Sequence, residues 1–289
     1  MTHERRWWWI WAASVMLCIS VGEPMILAQS PTRSSEVISA PRPLVEVADR
    51  LQEMYAVPVT YEDPLWVWPG ELEQMGHDTS GQYLVVKTRS VFLPAVNPGD
   101  QPLGAVLEQV VERFNNETDG PQFRVARSPV GWHIVATKAY DANGKLLPAR
   151  NLLDGNINVV IAKRNARGHF SAICDSLSHL SGIKVEFDAT LLDLDRLYGA
   201  VPPEFEWGAS QMPAREALTD LLERSATSLT WRLMFQASAR VEGRSYLLAL
   251  RGLPAAGVDG HGRKATALVM FDKCGNCVPP MRPPTIRIK

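Results

Sequence analysis

Residues 43–65 read PLVEVADRLQEMYAVPVTYEDPL, and residues 169–191 read HFSAICDSLSHLSGIKVEFDATL. Laid over one another without a gap, the two stretches share Asp49 with Asp175, Leu51 with Leu177, Val59 with Val185 and Leu65 with Leu191. Leu44 matches Phe170, Val47 matches Ile173, Met54 matches Leu180 and Tyr61 matches Phe187 in character. In each stretch the apolar residues first recur at helical spacing: Leu44, Val47, Ala48, Leu51 and Met54, then Phe170, Ile173, Cys174, Leu177 and Leu180. Strict alternation follows, Val57-Val59-Tyr61 and Ile183-Val185-Phe187, as expected of a strand with one buried face. Gly182 ends the second helix, since glycine accepts the left-handed geometry of a helix terminus.

Two further blocks repeat in the same order. Residues 102–113 align with 213–224, with Pro102 on Pro213, Leu107 on Leu218, Glu112 on Glu223 and Arg113 on Arg224. Phe123-Arg124-Val125 aligns with Trp231-Arg232-Leu233. Three blocks in one order indicate a duplication. The second block is again helical, with Leu103, Val106, Leu107, Val110, Val111 and Phe114 on one stripe and Ala214, Ala217, Leu218, Leu221 and Leu222 on the other. Pro102 and Pro213 stand near the helix starts, where a missing N–H is harmless, and Asp100 and Ser210 are candidate caps. Strands are expected at 91–95, 122–126, 132–137, 157–162, 204–207, 230–235 and 246–250. The fold class is therefore α+β: two tandem small modules, each running strand-helix-strand-strand-helix-strand-strand, with two helices packed on one face of a short mixed sheet. The expected layout is a first module at 36–140 with an insertion at 66–88, a linker at 141–152, a second module at 153–252, and an irregular Gly/Pro-rich tail at 253–289.

The phrase FEWGASQMPAREALTDLLERSATSLTWRL at 205–233, with FSAICDSLSHLSGIKVEFD at 170–188 before it, resembles the secretin and TonB short N-terminal domain. The first copy matches more loosely because of its insertion. The resemblance implies a periplasmic module used for docking or ring building ahead of an outer-membrane barrel. The 37 residues after position 252 of 289 are too few for that barrel, so pore and receptor roles are not expected.

Composition narrows the function classes. Hydrophobic residues make up 46% and charged residues 21%, enough for a packed core. The 30 basic residues balance 31 acidic ones, with no basic block, so nucleic acid is not an expected partner. Arg5 and Arg6 precede an apolar run from Trp7 to Val21, and Ala28 offers a cleavage point, which together read as a signal peptide over 1–28. An uncleaved inner-membrane anchor is the alternative. The expected location is periplasmic or secreted.

No residue constellation for catalysis, cofactor or metal stands out, and no small-molecule substrate is expected. Cys274 and Cys277 form a C-x-x-C pair read as a local disulfide, because Val278-Pro279-Pro280 blocks the helix a redox pair normally leads into. A zinc site would have only His261 nearby. Cys174 falls on the buried stripe, as a small core hydrophobe. His133, between Trp132 and Ile134, is expected to face solvent, and Asp193 and Asp195 to lie in a half-buried segment or turn.

Trp66 and Trp68 lie in the insertion and, with Tyr61 just before it, are candidate interface anchors. Packing between the two copies is the competing reading, and an open sheet edge is another route to a partner strand. The functional expectation is a non-enzymatic envelope protein that binds another protein or itself. A thiol-disulfide oxidoreductase using Cys274 and Cys277, and a homo-oligomeric ring component, are the alternatives.

Overall fold

Burial of the repeated stripes dictates the four helices of the described residues. The computed structural model describes residues 34–78, 81–188, 204–224, 229–236 and 245–252. Helix α1 (Pro43–Tyr55) buries Leu44, Val47, Ala48 and Leu51, and α3 (Ala166–Ser181) buries Phe170, Ile173, Cys174 and Leu177 at the matching positions. Helix α2 (Leu103–Glu117) buries Leu103, Val106, Leu107, Val110, Val111 and Phe114; α4 (Ala214–Arg224) buries Ala214, Ala217, Leu218, Leu221 and Leu222. The expected caps do not form. Asp100 accepts instead from the Asn97 side chain at 2.6 Å, and Ser210 lies within a strand. The side-chain cap that does form is Asn165, whose Oδ1 accepts from the Gly168 amide at 2.8 Å at the start of α3.

The strands also repeat. In the first half, β1 (Glu36–Ala40) pairs antiparallel with β5 (Arg89–Leu93), while β2 (Val59–Glu62) lies parallel to β7 (Gly131–Tyr140), which is antiparallel to β6 (Gln122–Ser128). In the second half, β9 (Asn156–Asn165) pairs antiparallel with β11 (Glu204–Pro213). There β10 (Lys184–Asp188) lies parallel to β13 (Ser245–Gly252), which is antiparallel to β12 (Leu229–Gln236). Registers coincide too: Tyr61 faces Ile134, which faces Val125, just as Phe187 faces Leu248, which faces Leu233. The duplication seen in the sequence is thus a duplication of pairing.

The fold is α+β, but the sheets differ from the expectation in two respects. Each half carries two sheets rather than one, and its helices touch both: α1 packs on β2 and also on β1 and β5, and α3 packs on β10 and also on β9 and β11. More consequentially, the halves are not separate sandwiches. Strand β12 pairs parallel with β2, Arg232 opposite Tyr61 and Leu233 opposite Glu62, joining both halves into one sheet ordered β10-β13-β12-β2-β7-β6. The short β8 (Leu146–Pro148), inside the expected linker, pairs with β7 and completes seven strands. The insertion forms an antiparallel pair, β3 (Leu72–Asp78) with β4 (Gly81–Val86).

Strand directions reveal how the halves are related. Because β10 is parallel to β13, β13 antiparallel to β12, and β12 parallel to β2, β10 runs opposite to β2. Faces invert as well. Val59 and Tyr61 join the core of α1 and α2, whereas Trp231, Leu233 and Phe235 join that of α3 and α4. One helix pair therefore lies on each face of the shared sheet. This corrects the one-sided strand expected from alternation: all four residues of β2 are buried, since the second half covers the face that period-2 patterning leaves for water. Among the described residues, no helix is long and apolar enough to cross a membrane.

Helix α1 ends at Ala56 with φ 51°, where α3 ends at Gly182 with φ 68°. The left-handed region costs an alanine about 1 kcal/mol relative to glycine. Ala56→Gly is expected to raise stability by about that amount, read as an upward shift of the urea midpoint with unchanged slope.

Candidate functional site: the seam and the open sheet edges

Side chains from both halves converge where β12 meets β2. Glu62 on β2 has 1% of its side chain exposed, yet it is a carboxylate. Arg215, at the start of α4 in the other half, reaches it bidentately, Nε to Oε1 at 2.6 Å and Nη2 to Oε2 at 2.8 Å, and donates through Nη1 to Asp154 at 2.5 Å. Burial raises the Glu62 pKa, and Arg215 opposes that rise. Desolvation also disfavours the Arg215 cation, but the hydrogen bonds and charges of Glu62 and Asp154 win, so its pKa goes up. Such a fork-to-fork pair is the strong form of ion pair, and it joins the two halves.

Two further arginines complete the seam. Arg232 of β12 is fully buried and donates through Nη2 to Asp49 of α1 at 2.6 Å, and through Nη1 to the Val59 carbonyl. Desolvation lowers its pKa against the pull of Asp49. Thr230 Oγ1 donates to the same Val59 carbonyl at 3.1 Å. Buried Asp63 takes donors from three directions: Arg42 Nε at 2.5 Å, the Tyr61 hydroxyl at 2.7 Å and the Phe235 amide at 2.8 Å. Its own amide donates to the Leu233 carbonyl at 2.8 Å. Each charge is thus held across or beside the seam, as burial requires.

The structure places Tyr61 at 2% exposure within the core of the first half and stacks it on Phe123 at 5.7 Å. Trp66, at 5%, packs into the core of the second half together with Val86. Neither is a surface anchor here, because the insertion folds back over the neighbouring copy and the packing reading of these aromatics describes them. Trp68 is half-buried against Tyr140, ring centroids 4.7 Å apart.

His133 departs from the solvent-facing expectation. It is 3% exposed, shares a 2.5 Å hydrogen bond between Nδ1 and Thr60 Oγ1, and lies 5.3 Å from the Trp231 ring of the other half. Burial, with Arg215 and Arg124 adding to it, pushes its pKa down to about 4. His169 is buried with Nε2 at 2.9 Å from the Phe205 carbonyl. Cys174 is buried as expected, and its thiol is pushed up to about 12 by burial, far from a reactive thiolate. No group of three or more metal-ligating side chains exists among the described residues. Cys274, Cys277, His261, Asp193, Asp195 and the signal-like segment lie outside the described residues.

Within the shared sheet, the seam uses one edge strand of each half and leaves the other. Among the described residues, β6 and β10 pair on one side only. At β6 the Asn115 side chain already satisfies the amide and carbonyl of Phe123, at 2.8 Å each, so the open stretch begins at Val125. Sequence reasoning missed the seam because acidic residues such as Glu62 and Asp63 are ordinarily exposed, and nothing in their local pattern marks them as buried. The one signal available was the presence of Arg232 amid an apolar strand. The chain matches no protein-family model, no curated protein and no solved structure.

Arg215→Ala is expected to strand the Glu62 charge and to cost about 3–5 kcal/mol of stability; adding Glu62→Gln recovers part of that loss in denaturant titrations. A second expectation concerns pH. Above the ordinary His value of 6.5 both folded and unfolded chains carry His133 neutral. As pH falls from 6.5 towards 4 the unfolded chain binds a proton that the fold excludes, so stability falls. The slope of this single group is up to about 1.4 kcal/mol per pH unit, and His133→Gln is expected to remove it, narrowing the gap between melting at pH 7 and at pH 4.5.

Proposed function

We propose that the chain is a non-enzymatic envelope protein whose partner adds a strand to an open edge of the shared sheet. The observation that carries this reading is the pair of strands β6 and β10, each with one side unpaired among the described residues, at the ends of a sheet whose interior is filled. An unpaired edge offers a row of main-chain donors and acceptors, and neighbouring side chains set which strand can join it. The seam shows the same chemistry in operation: β12 meets β2 as one free edge meeting another, with arginine–carboxylate pairs fixing the register.

Export is supported by Arg5, Arg6 and the apolar run from Trp7 to Val21 ahead of Ala28. The resemblance at 170–188 and 205–233 to the secretin and TonB short N-terminal domain supports an envelope assembly role, and the edges are where such a role would act. Edge addition replaces the aromatic anchors as the expected route, since Tyr61 and Trp66 are occupied inside the chain.

Alternate residues of β12 turn their amides to the seam, as the Phe235 amide does on Asp63. By the matching register, the Arg127 amide on β6 points off the open edge. Arg127→Pro is therefore expected to block docking without breaking the β6–β7 ladder. In cross-linking capture from an envelope fraction, the full chain is expected to retain partners that Arg127→Pro loses, at unchanged melting temperature. Equal retention by both, or none by either, would sink the reading.

A further inference from the structure

The two open edges are the counterparts of the two edges joined at the seam. Strand β6 corresponds to β12, with Phe123-Arg124-Val125 standing for Trp231-Arg232-Leu233; β10 corresponds to β2, with Val185 and Phe187 standing for Val59 and Tyr61. The chain thus presents, at its opposite ends, one of each of the surfaces that bind one another in its middle.

The ion pair that locks the seam is retained in unformed halves. Arg232 on β12 grips Asp49 on α1. Its counterpart on β6 is Arg124, and the counterpart of Asp49 on α3 is Asp175, identical residues in both cases. Arg124 and Asp175 are both exposed, and among the described residues neither has an ion-pair partner. Orientation agrees as well. Phe123 packs in the core of α1 and α2, so Arg124 points to the opposite face of the sheet, just as Arg232 points away from α3 and α4 towards α1. An incoming β10 laid on β6 as β2 lies on β12 would bring its own α3, with Asp175, onto that face.

We infer that the partner at these edges is a second copy of this chain: β6 of one molecule pairs parallel with β10 of the next, Arg124 opposite Phe187, with Arg124 bound to Asp175 of the neighbour. This rests on the edge-binding reading above and names its partner. Successive halves invert strand direction and helix face at each step, so the junction is head-to-tail and the assembly is an open series, not a closed two-fold dimer. It is weaker than the seam. Gly104 stands where Arg215 stands in the other half, so the bidentate pair has no counterpart, and Asn115 shortens the open edge. The seam also profits from the high effective concentration of a single chain.

Sedimentation velocity and light scattering of the full mature chain, up to about 1 mM because intrachain junctions operate in that range, test this. Weight-average mass is expected to climb continuously with concentration beyond the dimer. Arg124→Asp and Asp175→Arg are each expected to weaken association about tenfold or more, as like charges meet at every junction. The double exchange in one chain restores it, as does mixing the two single variants, whose edges are then complementary. Melting temperatures of the singles report whether the fold is intact, and the mixture keeps the test valid if either is slightly destabilised. A discrete dimer, association indifferent to both charge reversals, or singles that the mixture fails to rescue would overturn the proposal. So would a chain that stays monomeric throughout; if it still captured another envelope protein in an Arg127-dependent way, the edge-binding reading would survive alone.

Discussion

Two adjacent buried carboxylates, at the end of one short strand and just past it, hold this molecule together. Glu62 and Asp63 lie at the end of β2 with almost no exposed surface, and a charge in that position requires donors on every side. Arg215 comes from α4, the Phe235 amide from β12 and Arg42 from the approach to α1. The second half is thus fixed against the first by the need to satisfy those charges, while the main-chain pairing of β12 with β2 sets the register. Apolar packing alone would tolerate sliding of one sheet edge along another. Charges with single good partners do not.

That junction determines which surfaces remain. Were the halves joined by a loose tether, each would show two free edges and an uncovered sheet face. Joined as they are, each covers part of the other's bare face: His133 and Thr60 of the first half lie beneath Trp231 of the second, and Trp66 of the insertion enters the second core. What the shared sheet leaves for partners among the described residues is one edge at each end. In the interior, Cys174 sits on the buried stripe of α3 with its thiol pushed up by burial.

Paired copies within one chain usually differ in what each retains, and the differences here are local. The first copy has Gly104, and a Cβ there would collide with the Trp132 ring, so the indole covers the helix start that Arg215 uses for binding in the second copy. The first copy also carries the insertion with Glu71 buried beside Arg89, a further ion pair whose carboxylate is pushed up by burial and held down by its partner.

The sequence by itself determined the duplication, the four helices with their buried faces, most strands and the α+β class, because period and identity between Asp49 and Asp175 or Leu51 and Leu177 are local properties of a chain that packs one face. It placed Cys174 in the core for the same reason. It could not decide that β12 meets β2, since alternation tells which residues of a strand share a face but not which strand lies next to it. The burial of Glu62, Asp63 and His133 follows from that one non-local pairing, and the enclosure of Trp66 from the packing of the insertion on the second half. Neighbourhood across the sheet is a property of the folded chain, and only the tertiary structure supplies it.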